Sequence, residues 1–392
     1  MKFILTFLFM AVSFHAFSQE SVEESFTFGT RSSYFGEHDL YDNAMNFFHL
    51  NYRDERYFDS GTLKTSLEFR IFDPTSSDEN VYIDPVNVSL EFLMNSVSLE
   101  AGFLRYRFSE TFGLQILDVA NPRDYSDYVL NDLSWAKRSV FGLNMQNRWD
   151  RLEILWMLTL WSNGDRLPYK GSPFDLTGGE FGYEGGVVHR PWFQDQEYGV
   201  RLKYLFENGL DVSVLGYHHF ARPTYIYLNQ TGPMSFEAAL SSRMVDSLGM
   251  AASFVMGDWV LRGDFLLTLL DNFQTAPLEF STEDHYQHLL GIDRIWENWS
   301  LGAQIQNDFL YNRNFFGLKI ENSFFDFWKP GAMAFVSDKN ADKWIQFKNA
   351  FQYENWDLNV VVDLLDGDIS SQGLFGLYRD NDRVLVEISM TH

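Results

Sequence analysis

The sequence predicts an all-β chain, a transmembrane antiparallel β-barrel of about 16–18 strands. Three observations carry that prediction. A tight-turn cassette recurs along the chain, a strand of alternating apolar and polar residues follows each copy, and the connections alternate between short and long. The cassettes read Met94-Asn95-Ser96-Val97-Ser98-Leu99, Arg148-Trp149-Asp150-Arg151-Leu152, Phe206-Glu207-Asn208-Gly209-Leu210, Met256-Gly257-Asp258-Trp259-Val260-Leu261, Trp296-Glu297-Asn298-Trp299-Ser300-Leu301 and Tyr353-Glu354-Asn355-Trp356-Asp357-Leu358. Asn, Asp and Gly tolerate the positive φ angles that two-residue hairpins need. Trp149, Trp259, Trp299 and Trp356 lie in or just after these turns. Aromatic rings with a polar edge favour a membrane–water boundary, so these four are the expected aromatic girdle.

Alternation is clearest after the cassettes. Trp299, Leu301, Ala303 and Ile305 share one face, and Ser300, Gly302, Gln304, Gln306 and Asp308 the other. Trp356, Leu358, Val360, Val362 and Leu364 oppose Asp357, Asn359 and Asp363, and Leu152, Ile154, Trp156, Leu158 and Leu160 oppose Arg151, Glu153 and Thr159. About ten residues of this pattern match a tilted membrane strand. Tight turns are expected near residues 95, 149, 208, 257, 298, 327, 355 and 381, on the periplasmic side. Long polar connections at 35–43, 73–85, 104–136, 163–196, 221–244 and 271–284 belong to the other side. Short turns on one rim and long loops on the other follow the barrel rule. Candidate strands number roughly nineteen, whereas single-chain bacterial barrels have even counts, so 18 is expected first and 16 next. The weakest candidates are 24–34, 371–379 and 383–390.

Composition agrees. The 392 residues are 17% aromatic, with 38 Phe, because one face of each strand meets lipid. The formal net charge of −24 excludes a nucleic-acid partner, which needs a basic footprint. It fits solvated loops bridged to an anionic leaflet by divalent cations, or a lumen that favours cations or neutral solutes. With no cysteine, these residues offer no thiol nucleophile and no Cys-ligated metal, and they avoid disulfide errors on an oxidising route. Lys2, the apolar run Phe3 to Val12 and the small-x-small site Ala16-Phe17-Ser18 read as a cleaved signal peptide over 1–18. Residues 19–392 then form a single barrel domain.

One connection has an unusual composition. Residues 97–136 carry Gly102, Arg105 and Arg107, then Phe112-Gly113, then Asp118-Val119-Ala120-Asn121-Pro122-Arg123-Asp124. Pro122 pushes Asn121 out of helical space and makes a strong turn. This run resembles a pattern in porin-like outer-membrane families of Gram-negative bacteria, several of them uncharacterised. There a strand with Gly and Arg leads to an aromatic-Gly step and an Asp-x-x-Asn-Pro-x-Asp loop. Those families favour Trp where this chain has Phe112, and the specific resemblance covers about fifty residues. It implies a porin-like barrel and says little about substrate. The partners expected of such a barrel are outer-membrane lipids and lipopolysaccharide, periplasmic chaperones and the barrel-assembly machinery; many porins are trimers, so a homotrimer is the candidate assembly, with no interface signature in the sequence. From the charges, 104–136 is a candidate inward-folded constriction, with Arg105, Arg107 and Arg123 facing Glu110, Asp118 and Asp124 across the pore, and Asn121 at the turn. An extracellular loop whose charges pair among themselves is the alternative.

The remaining constellations are weaker. Glu283-Asp284-His285-Tyr286-Gln287-His288 has metal-capable side chains, but His285 and His288 are three apart and point to opposite strand faces. His189, His218 or His219 with Ser213 or Ser241 offer a base and a hydroxyl, yet none lies in a nucleophile motif. The Gly-rich run 178–186 lacks the Lys-Ser/Thr ending of a phosphate loop. No cofactor, metal site or enzymatic activity is expected. The expected lumen acids are Asp211, Asp264, Asp308, Asp357 and Asp363. The expected function is passive passage of small polar solutes, cationic or neutral. The alternatives are a plugged barrel with a binding, export or assembly role, and a channel for hydrophobic compounds with inward Leu155, Met157 and Leu266.

Overall fold

A computed structural model of the chain describes residues 23–35, 45–58, 61–74, 82–112, 115–125, 136–162, 164–166, 196–221, 225–232, 235–241, 243–276, 279–309, 313–325, 327–339, 341–368, 375 and 378–391. The signal segment, the Gly-rich run and His189 lie outside these residues.

The first half contributes β1 (Glu23–Phe35), β2 (Met45–Phe58), β3 (Gly61–Pro74), β4 (Tyr82–Met94), β5 (Val97–Leu104), β6 (Val140–Trp149), β7 (Leu152–Ser162), β8 (Glu197–Leu205) and β9 (Leu210–Phe220). A separate hairpin follows, β10 (Tyr225–Gly232) with β11 (Ser235–Ser241). The second half contributes β12 (Met244–Met256), β13 (Trp259–Ala276), β14 (Glu279–Trp296), β15 (Trp299–Asp308), β16 (Arg313–Asn322), β17 (Trp328–Ser337), β18 (Lys343–Tyr353), β19 (Trp356–Asp366) and β20 (Arg383–Thr391). Every strand except β10 and β11 joins one 18-stranded sheet, in which sequential strands pair antiparallel, β9 pairs with β12 across the inserted hairpin, and β1 pairs with β20. That last pair closes the sheet, so no edge is left open to lipid.

The strands form where the alternation predicts them, and the side-chain period of two fixes which face meets lipid. On β15, Trp299 and Leu301 are exposed, whereas Gly302, Gln304 and Gln306 are buried. On β19 the outward positions run Trp356 to Leu364, and Asp363 is fully buried inside. The outer wall is therefore an apolar band, with Leu248, Met250, Leu290, Ile292, Phe316 and Leu318 among its exposed members. A transmembrane barrel needs such a band.

The turns sit on the expected rim, with one chemical difference. Positive φ falls on Asn95, Asp150, Gly209 and Gly257, residue types that tolerate it, but also on Glu297 and Glu354 rather than on the Asn that follows each. One strand expectation and one turn expectation are corrected. Residues 371–379 are not a strand in their described part: Phe375 is buried against Phe315 and Trp344, and Tyr378 opens a short helical turn. Phe375 and Tyr378 are buried at the end of the barrel and do not line lipid. The turn near 381 accordingly lies at the β19–β20 connection, on the rim opposite the tight turns. With 371–379 removed the barrel count is even, and the 221–244 connection holds its own hairpin.

Candidate functional site: a loop folded across the lumen

The chain leaves the barrel wall after Leu104 and rejoins it at Val140. Its departure is prepared by Gly102, which has φ +145 and where an added Cβ would lie 2.1 Å from the Val88 carbonyl oxygen. Only glycine fits there.

From that point the described loop runs inward. Tyr106, Phe108, Ile116, Leu117 and Ala120 are buried in one cluster with Met157, Leu215, Tyr217, Ala251, Leu266 and Leu289 of the inner wall, and Leu155 packs at its edge. The inner wall is shaped to receive it. A Cβ at Gly249 would lie 2.7 Å from Leu117 Cδ2, and one at Gly302 would lie 2.8 Å from Phe112 Cε1. Phe112 reaches β16 and β17, with its ring 6.2 Å from that of Phe335 and Lys319 Nζ 6.0 Å from its centroid. In an 18-stranded ring, β16 lies across from β5, so the loop crosses the bore.

Three residues of the Asp-x-x-Asn-Pro-x-Asp run brace the crossing. Asn121 accepts from Tyr106 N at 2.6 Å and donates to the carbonyls of Leu104 at 3.2 Å and Arg138 at 2.8 Å, which ties the outgoing and returning chain together. Asp118 accepts from Phe108 N at 2.7 Å, and its second oxygen pairs with Lys137. Burial pulls the Lys137 ammonium below its usual range, against the opposing pull of Asp118. Burial likewise pushes the Tyr106 phenol up. Asp124 pairs with Arg166 at 2.7 Å. On the wall, Asp264 accepts from Thr111 Oγ1 at 3.0 Å and Glu110 N at 3.3 Å, and also from Ser109 Oγ, so one buried carboxylate latches the loop tip.

The loop charges meet the wall. Glu110 lies 3.9 Å from Arg201, 3.8 Å from Lys203 and 3.8 Å from Arg262. Arg105 pairs with Glu68 on β3 at 3.0 Å. Arg123 donates to the Gln115 carbonyl at 3.1 Å, and Arg107 is exposed. The expected lumen acids all occupy inward positions. Asp211 pairs with Lys203 at 2.7 Å, Asp308 with His285 at 2.9 Å, and Asp363 with Arg383 at 2.7 Å, while Asp264 is the latch. Asp357 is half-buried near the periplasmic rim. Trp149, Trp259, Trp299 and Trp356 point outward at that rim, joined by Trp296 and Trp328.

The half of the bore that the loop leaves free holds a cavity of about 660 Å³. Its charged lining residues are Arg53 and Lys64 against Asp54, Glu55, Glu91 and Glu100. The cavity side thus has four acids to two bases, and the other side carries Arg201, Lys203, Arg262 and Lys319, of which Lys203, Arg262 and Lys319 also pair with Asp211, Asp293 and Glu321. The reading of the sequence missed these four cations. Strand parity finds them: Arg201 and Lys203 alternate with the outward Tyr198, Val200, Leu202 and Tyr204.

The other constellations hold the wall together. His285 sits inward between Asp271 at 3.2 Å and Asp308, and His288 points outward with its ring 5.2 Å from that of Phe309. His219 Nε2 is 2.8 Å from Ser247 Oγ, which is 2.9 Å from Thr268 Oγ1, a buried tie across β9, β12 and β13. His218 pairs with Asp246 at 2.7 Å on the outer face.

No family model matches the chain, and no curated protein does. Solved structures do match along nearly the whole length. Pseudomonas aeruginosa OccK5 (OpdH) is 10% identical with a TM-score of 0.55, over 94% of this chain and 98% of its own. Acinetobacter baumannii OccAB4 is 11% identical with a TM-score of 0.54, over 95% of this chain and 99% of its own. A mutant of the Rh. blastica porin aligns at 10% identity over 94% of this chain and 99% of its own, with a TM-score of 0.47. At such identities the likeness is one of fold. That fold is a porin-like transmembrane β-barrel of 18 strands.

Proposed function

We propose that this barrel is an outer-membrane diffusion channel for small polar solutes, cationic or neutral, whose aperture is set by the 104–136 loop. The observation that carries the reading is the loop itself. It crosses the bore on a fitted seat and leaves a polar cavity beside it. The acid excess of that cavity supports cationic or neutral solutes, and the cations on the opposite side supply a transverse field that selects by dipole. In this reading Arg105, Arg107, Glu110, Asp118, Asn121, Arg123 and Asp124 shape the constriction from the loop. Asp211, Asp264, Asp308, Asp357 and Asp363 act from the wall, chiefly by holding other groups in place. Residues 1–18 direct export, lipopolysaccharide surrounds the long-loop end, and the functional unit is a homotrimer.

The test is single-channel conductance of the refolded protein in a planar bilayer under a salt gradient. Steady conductance with cation preference supports the reading. Anions passing at least as readily as cations overturns the charge preference. A second reading, a plugged barrel with a binding or assembly role, draws support from Phe375 and Tyr378, which also pack into the barrel end. It predicts electrical silence until residues 112–132 are deleted. The hydrophobic-channel reading has less to stand on, because Met157 and Leu266 are covered by the loop.

A further inference from the structure

The lipid-facing wall is almost free of charge. Among the described strand residues whose exposed or half-buried side chains point outward, two are cationic: Lys343 and Arg294. Lys343 is paired with Asp366 at 2.7 Å. Arg294 has no acidic partner among the described residues. Its register neighbours are Trp259 on β13 and Leu301 on β15, so it stands at the height of the periplasmic aromatic band. Its guanidinium lies 5.0 Å from the Trp259 ring centroid and 5.2 Å from that of Trp296. Trp296 in turn stacks on Trp299 at 6.5 Å.

A cation on a lipid-facing wall is costly unless it reaches a counter-charge at the interface. Two ring faces hold this one in a fixed orientation and leave its N–H edge open. Directly up the wall toward the membrane centre are Leu261, Ile292 and Leu290, all exposed and apolar. The order from rim to midplane is therefore cation between two rings, then a bare aliphatic track. A phosphodiester with an acyl chain attached has the same order.

We propose that Arg294, Trp259 and Trp296 form a binding site for the phosphodiester of one glycerophospholipid of the periplasmic leaflet. The guanidinium donates to the phosphate oxygens, the indoles flank the glycerol region, and one acyl chain lies along Leu261, Ile292 and Leu290. The site stands whether or not the lumen conducts, since it depends only on which rim carries the tight turns.

The experiment is native mass spectrometry of the refolded protein titrated with dioleoyl phosphatidylglycerol in detergent. Wild type is expected to retain one lipid more tightly than the rest. Arg294→Gln is expected to weaken that first adduct about fivefold, the effect of one interfacial cation. Arg294→Lys should fall between the two, and Lys343→Gln, at the other rim, should leave the adduct unchanged. Phosphatidylglycerol with brominated acyl chains should quench tryptophan fluorescence saturably in wild type and less in Arg294→Gln. Equal retention by wild type and Arg294→Gln overturns the proposal, as does equal binding of dioleoylglycerol, which would mark an acyl groove only. Displacement of the lipid by inorganic phosphate would mark a free-anion site and also overturns it. If Arg294→Gln lacks a heat-modifiable band, Arg294→Lys carries the test: the site requires weakened retention in that folded variant, and wild-type retention refutes it.

Discussion

The two halves of the bore differ in what their inward residues are for. Under the loop, β7, β9, β12, β13 and β14 present Met157, Leu215, Tyr217, Leu266 and Leu289 to the interior, and glycines where the loop comes closest. On the free side, β1 to β5 present Ser25, Lys64, Ser66, Asn87, Ser89 and Glu91 around open space. Both halves show the same apolar outer face, so alternation alone reads them alike. The difference is that the covered half also carries apolar residues at several inward positions. In a barrel sequence, strands with apolar residues at inward as well as outward positions mark where a loop folds in.

The strongest way to break this comparison is to remove the loop. Deleting residues 112–132 should raise single-channel conductance severalfold and reduce selectivity, and an unchanged conductance would show that the crossing does not set the aperture. Next in size is the seat. Leu117→Ala leaves a void in a packed cluster and should weaken loop docking by about 2–4 kcal/mol. Limited proteolysis should then cut the loop in the folded barrel. Asp264→Ala removes the latch and strands the Ser109 and Thr111 hydroxyls, at about 1–3 kcal/mol, and should appear as noisier open-channel current. A quiet current would show that the apolar seat suffices. Smaller still, Glu110→Gln leaves Arg201, Lys203 and Arg262 facing one fewer charge, so the zero-current potential should move toward anion preference. Asp357→Asn should move it the same way by less, because that acid stands near the wide periplasmic mouth. If Asp357→Asn outweighs Glu110→Gln, selectivity resides outside the constriction.

Much of the barrel was legible. Turn chemistry and period-two alternation mark one rim and most strands, because both are local properties that lipid enforces on every strand. The segment 371–379 was misread for the same reason: alternation around Phe375 arises from packing over a barrel end, and a local pattern does not say which surface it meets. The loop was legible as an exception, through Gly102, Asn121-Pro122 and its charges. Its partners were not. Arg201 and Arg262 lie about ninety and one hundred and fifty positions beyond Glu110, and only barrel closure brings side chains of two distant strands to one carboxylate. Likewise Asp264 reads as one more inward acid until the Ser109 and Thr111 hydroxyls are seen to converge on it.

The β1–β20 pairing makes this a seam between residues nearly a whole chain apart: the Thr27 and Thr391 hydroxyls meet at 3.0 Å across 364 positions. Until Arg383–Thr391 is in place, β1 and β19 each present a row of unmet N–H and C=O groups. Such edges have no water to bind in lipid and invite pairing with foreign strands. Assembly is therefore a race between zipping the seam and aggregating at it. A chain shortened by its final strand should lose that race whatever the strength of the other pairings, unless another protein holds the two open margins apart from their surroundings.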